Sequence, residues 1–144
     1  MVYIGSDHGG FELKEILIKH LTAKGVSLQD KGCFSTESVD YPDIAQDLCK
    51  SVMNDKALGI LICGTGIGIS IAANKVEGIR CALSHNEYTA KMARLHNDAN
   101  VLALGGRVIG SELAKSIVDI FLETNFESGR HLKRVEKISL IEKG

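Results

Sequence analysis

The chain has 144 residues, 17 basic against 18 acidic side chains, a net charge of −1, 44% hydrophobic and 24% charged residues. These are the proportions of one globular domain, 1–144, long enough to bury a core, and the even charge balance excludes a general nucleic-acid surface. No apolar run approaches the roughly 18–20 residues of a membrane span, and Met1–Gly5 already reads as a strand, which leaves no room for a signal peptide. The four cysteines, at 33, 49, 63 and 81, show no C-x-x-C pair and no metal-ligand spacing, so reduced thiols in the cytoplasm are the expectation.

Strand-like and helical runs alternate from end to end. Val2–Gly5 is strand-like, and from Phe11 the apolar Leu13, Ile16, Leu17 and Leu21 recur at helical spacing up to Gly25, a C-cap residue. Val26–Leu28 predicts a second strand, residues 32–42 a loop, and Asp43–Met53 a helix. Gly59–Ile62 is the third strand, followed by a glycine-rich turn and a helix beginning at Ile71. Ile79–Leu83 is the fourth strand, Glu87–Leu95 a helix, Val101–Leu104 the fifth strand and Ser111–Glu123 a helix with Leu113, Ile117, Ile120 and Phe121 on one face. A last helix starts near Arg130. Alternation at this spacing predicts a mostly parallel five-stranded sheet with helices on both faces, an α/β/α sandwich. In such sheets ligands bind outside the carboxyl ends of the strands, which singles out Ser6-Asp7-His8, Cys63-Gly64-Thr65 and Ser84-His85.

The second of these exits carries the most chemistry. Gly64, Gly66 and Gly68 leave the backbone of a strand-to-helix turn bare, so its N–H groups can face an anion or a developing oxyanion. Cys63 stands at its lip, where a thiolate is favoured and can act as base or nucleophile. The pattern is G-x-G-x-G rather than G-x-G-x-x-G, Ser84 rather than an acid follows about 20 residues on, and no Gly-Lys-Ser/Thr is present, which argues against nicotinamide or nucleoside-triphosphate binding. The plain alternative is a tight turn that needs small residues.

Asp7 and His8 could grip a polar ligand, or Asp7 could simply cap the next helix. His96-Asn97-Asp98-Ala99-Asn100 is a dense polar cluster of turn-forming residues. Arg130 and Arg134, four apart beside His131, share a helix face able to hold one phosphate; the alternative is a solvated basic face. Cys33, Cys49 and Cys81 read as small buried hydrophobes. A thiol, amide donors, His/Asp proton carriers and an arginine pair, with no metal cage or cofactor fingerprint, fit proton transfer alpha to a carbonyl in a small phosphorylated substrate.

Ser6-Asp7-His8-Gly9-Gly10, Cys63–Ser70 with Ala72-Ala73-Asn74-Lys75, His96-Asn97-Asp98, Gly105-Gly106-Arg107 and Gly129-Arg130-His131-x-x-Arg134 occur in this order. Together, over about residues 3–142, they resemble the type B ribose-5-phosphate isomerases, a family that also holds the subunits of galactose-6-phosphate isomerase. The resemblance implies a Rossmann-like fold, interconversion of D-ribose 5-phosphate and D-ribulose 5-phosphate without metal or cofactor, and a homodimer whose active sites are shared between subunits. It leaves open whether dimers pair into tetramers.

Carried over residue by residue, Cys63 is implied as the base between C1 and C2, and Thr65 as a proton relay. The N–H groups from Gly64 through Gly66 to Gly68, with Ser70, are implied as the anion hole. His96 is implied to open the furanose ring, Asp7 and Tyr41 to hold its hydroxyls, and Asn97 to bind substrate. His8, Arg107, Arg130 and Arg134 match the phosphate contacts. Some relatives carry glutamate where this chain has Ile69 and lack the cysteine; this chain is of the thiol type. Galactose 6-phosphate or allose 6-phosphate as substrate, a non-catalytic sugar-phosphate sensor and a flavodoxin-like electron carrier are the competing readings.

Overall fold

The computed structural model describes residues 1–144. Strands β1 (Val2–Ser6), β2 (Leu28–Asp30), β3 (Leu58–Cys63), β4 (Cys81–Leu83) and β5 (Val101–Gly105) alternate with helices α1 (Phe11–Ala23), α2 (Tyr41–Asp55), α3 (Ile67–Ala73), α4 (Glu87–Leu95) and α5 (Ser111–Glu123), and α6 (Arg130–Glu142) follows. The sheet runs β2-β1-β3-β5-β4. Every ladder is parallel, so the expected mostly parallel sheet is wholly so.

Both faces of the sheet are covered, which is why its central strands are apolar at every position rather than at alternate ones. Side chains of alternating parity divide the core in two. Val2, Ile4, Ile60, Ile62, Leu102 and Leu104 pack with α1, α4 and α5. Tyr3, Leu61, Cys63, Val101 and Ala103 face the other way, against α2 and α3. Helix α6 lies outside both layers and buries only His131 and Val135. No helix is long and apolar enough to cross a membrane.

Several boundaries differ from the sequence reading, among them the fourth strand, which begins at Cys81 rather than Ile79, and three have a clear local reason. The second strand begins at Leu28, not Val26, because the Val26 N–H closes α1 by donating to the Leu21 carbonyl at 3.0 Å, with Gly25 at φ 81 making the left-handed turn. The second helix takes in Tyr41 and Pro42, proline being compatible with a first helical turn where no N–H donor is needed. The third helix starts at Ile67 rather than Ile71, so the glycine tract is itself the first turn of α3, entered from a left-handed Gly66.

The topology also fixes where a ligand can sit. From β1 the chain moves outward to β2, then returns across β1 to form β3 on its other side. The crevice between the carboxyl ends of β1 and β3 is therefore a switch point, open to a ligand. Asp7 and Cys63 stand at its two lips.

Candidate active site

At the β3 exit the thiol is held by the chain that follows it. Cys63 is 5% exposed, and its Sγ accepts the Gly66 N–H at 3.1 Å. Its carbonyl accepts from Gly106 at 2.8 Å, and that of Gly64 from Arg107 at 3.0 Å, so the Gly105-Gly106-Arg107 tract backs the thiol loop. The Thr65 hydroxyl is exposed and accepts the Ile67 N–H at 3.2 Å. With the Gly66 and Ile67 amides already engaged by Cys63 and Thr65, the amides of Gly64, Thr65 and Gly68 find no acceptor in the chain and remain available to an anion. Ser70 does not join them as a donor: its hydroxyl points back to the Ile67 carbonyl at 2.8 Å and the residue is buried.

Tyr41, Asp7, His8 and Arg107 converge on the same edge. Tyr41 lies across Gly68, whose missing Cβ would fall 2.6 Å from the ring carbon Cζ. Arg107 Nη1 lies 3.0 Å from where a Gly64 Cβ would stand. Asp7 does cap the following turn, Oδ1 accepting from Gly9 at 2.9 Å and Gly10 at 3.2 Å, and its other oxygen stays free. His8 accepts the Val39 N–H at Nδ1, 3.2 Å away, so its neutral ring carries the proton on Nε2. Asp7, His8 and Tyr41 line an open cleft of about 470 Å³ together with Ser38–Asp40.

The remaining expected residues form a second group elsewhere. His96 ends α4, and the Glu127 N–H donates to the Leu95 carbonyl at 3.0 Å, bringing the chain before α6 back beside it. The His131 ring stacks on that of His96, centroids 4.1 Å apart and 14° from parallel. Burial first, then the nearby His96 and Arg130, lowers the His131 pKa from the ordinary histidine value. Arg130 and Arg134 are exposed and have no carboxylate partner, and Asn97 lines a neighbouring cleft of about 460 Å³ with Arg80 and Ile138. One ligating atom each from His96, Glu127 and His131 lie within 4.8 Å of one another. Rings only 14° from parallel hold their in-plane lone pairs in two nearly parallel planes, poorly suited to converge on one ion, and the two guanidiniums suit an anion better than a cation.

The two groups do not meet within one chain. His96 and Asn97 precede β5, at the amino edge of the sheet, whereas Cys63 pairs with Gly105 at the carboxyl edge. The length of β5 lies between them, roughly 16 Å at about 3.3 Å per residue. Sequence reading left the stack with His131 and the approach of Glu127 unassigned. His131 stood in the Arg130–Arg134 run as a signal, while Glu127 had none. The same reading singled out Ser84-His85 as a strand exit but gave His85 no role; its Nε2 accepts the Gly105 N–H at 3.2 Å behind the thiol loop. Burial pushes the Cys49 thiol up to about 12 and also raises that of Cys81.

This arrangement has counterparts among known proteins. A family model described as ribose/galactose isomerase matches residues 2–138. The chain is 51% identical over 142 residues to ribose-5-phosphate isomerase B of Escherichia coli strain K12, covering 98% of this chain and 95% of that protein. The solved structure of Clostridium thermocellum ribose-5-phosphate isomerase B matches with a TM-score of 0.96 at 52% identity, covering 99% of this chain and 97% of that one. That of the Trypanosoma cruzi type B enzyme matches with a TM-score of 0.94 at 44% identity, over 99% and 97% of the two chains. Fold, motifs and relatives agree: the chain belongs to the ribose/galactose isomerase family.

Proposed function

We propose that this protein is an aldose-ketose isomerase that interconverts D-ribose 5-phosphate and D-ribulose 5-phosphate through an enediolate, with Cys63 as the base. The observation that carries the reading is a thiol at the β1/β3 switch point, its sulfur held by one loop amide while neighbouring amides stay free. The substrate named for the relatives is the one this site suits: a small phosphate with adjacent hydroxyls. As thiolate, Cys63 removes the C2 proton of the open aldose. The C–H electrons form the C1–C2 double bond and the carbonyl electrons move onto O1, facing the free amides of Gly64, Thr65 and Gly68. A proton passes from O2 to O1, with Thr65 placed to relay it, and Cys63 returns a proton to C1 to give the ketose. Asp7 and Tyr41 hold hydroxyls, and His8 and Arg107 face the phosphate.

Ring opening and most of the phosphate grip fall to His96, Asn97, Arg130 and Arg134. Their position at the opposite sheet edge supports a homodimer in which the second copy brings this group over the first copy's thiol. The exposed apolar residues of α6, Leu132, Ile138, Leu140 and Ile141, give such a dimer a surface to bury. Four free cysteines agree with a reducing, cytoplasmic setting, and residues 1–144 are read as one isomerase domain.

Proton NMR of ribose 5-phosphate in D₂O tests the reaction. Ribulose 5-phosphate should appear with loss of a carbon-bound proton, and Cys63→Ala should abolish turnover while still binding substrate. Turnover of allose 6-phosphate alone would reassign the substrate. Normal turnover by Cys63→Ala would remove the thiol from the mechanism.

A further inference from the structure

His96 makes no side-chain hydrogen bond of its own; its one ion-pair contact, Glu127, is 3.9 Å away. Its direction therefore rests on the His131 stack and on the turn that carries it. That turn does not hold itself. Asp98 has φ 48, a left-handed conformation that a non-glycine residue adopts at a cost of roughly 1–2 kcal/mol, though Asp and Asn bear it best.

Two arginines hold it there. Arg94 Nη1 donates to Asp98 Oδ1 at 3.1 Å and to the Ala99 carbonyl at 2.7 Å. Arg80 donates through Nη2 to Asp98 Oδ2 at 3.3 Å and through Nε to the Asp98 carbonyl at 2.9 Å. Each carboxylate oxygen thus has its own guanidinium, one from α4 and one from the approach to β4. Arg94 is 9% exposed, and its Nε donates to the Thr124 carbonyl at 3.1 Å. Thr124 begins the segment that returns Glu127 to Leu95 and lays His131 on His96. One buried guanidinium therefore fixes both determinants of the His96 ring, the turn beneath it and the segment that delivers its stacking partner.

We propose that Asp98, clamped between Arg94 and Arg80, is a positioning residue for His96 and sets that imidazole for the ring-opening half of the reaction. The proposal rests on the isomerase reading above. It separates two steps: a furanose must be opened before Cys63 can act, whereas ribulose 5-phosphate, its O5 occupied by phosphate, has no ring to open.

Asp98→Asn is the test, made in the full-length protein, because asparagine keeps the volume and the left-handed preference while removing the charge. Conversion of ribose 5-phosphate should fall on the order of 10- to 100-fold, the scale of an ångström-sized misplacement. Exchange of the C1 proton of ribulose 5-phosphate with D₂O should stay within about twofold of wild type, since a misplaced His96 leaves the Cys63 step untouched. Arg80→Lys, which keeps the charge but not the two-point grip, should show the same split more weakly, and it serves if Asp98→Asn does not fold. Loss of both activities together in a folded variant, or of neither, overturns the positioning role. A wild-type protein that neither converts nor exchanges these sugars overturns the isomerase reading instead, and with it the proposal's premise.

Discussion

Gly66 and Gly68 stand two residues apart in the thiol loop and exclude a side chain for different reasons. Gly66 has φ 79, and a Cβ there would lie 2.6 Å from Leu83 Cδ1 and 2.8 Å from the Leu104 carbonyl carbon. Gly68 is free of that backbone constraint, and the atoms nearest its missing Cβ belong to Tyr41, Cζ at 2.6 Å. Gly66→Ala should therefore lower stability by at least about 1–3 kcal/mol and release the amide that holds the Cys63 sulfur. Gly68→Ala should keep the melting temperature near wild type while displacing Tyr41 and raising KM. Thermal melts beside steady-state kinetics check both. An unchanged KM in Gly68→Ala would mean that Tyr41 does not hold the substrate.

At the scale of elements, α1 and β2 are joined by a charge within the fold. Lys14 lies one position from Leu13 on the buried side of α1 and has no exposed side-chain surface, with Nζ 2.5 Å from Asp30 Oδ2. The rings of Phe11 and Phe34 lie 5.3 and 5.5 Å from that ammonium. Asp30 turns its other oxygen to the Gly32 N–H at 2.8 Å, so the pair also anchors the start of the 32–40 loop that reaches His8 through Val39. Asp30 keeps 26% of its side-chain surface exposed, so Lys14→Ala leaves it partly solvated and should cost about 2–3 kcal/mol, below the range for a fully buried pair. Urea denaturation measures this; a loss below about 1 kcal/mol would place the pair with exposed ion pairs, which contribute little.

For the whole molecule the decisive fact is that the thiol and His96 lie at opposite edges of one sheet. If two copies complete each site, Cys63→Ala and His96→Ala are each inactive alone but complement when mixed. A heterodimer of the two carries one doubly defective site and one intact site. Random reassociation should then restore about a quarter of wild-type turnover, given a symmetric two-subunit assembly. Co-refolding the two variants and assaying the mixture measures it, and no recovery in a mixture shown to exchange subunits would sink the shared site.

What the amino-acid sequence determined by itself was the part written in short-range chemistry. Helices α4 and α5 match the expected spans residue for residue, because hydrophobic periodicity and end signals lie within a single turn or two. The thiol with its alternate glycines, the histidine turn and the arginine pair were legible for the same reason: each is a contiguous motif. The boundary of β2 was not, since the amide of Val26 is drawn back into the cap of α1, and that of α3 was hidden because glycines carry no hydrophobic period. Nor does local pattern reveal that Lys14 is buried, that His131 stacks on His96, or that Arg80 and Arg94 close on Asp98. Those contacts join residues brought together only when parallel strands force the chain to cross the sheet between them. The same crossings carry each strand's exit to one edge and each helix's end to the other. Tertiary structure thus decided that the site residues of one chain form two groups rather than one.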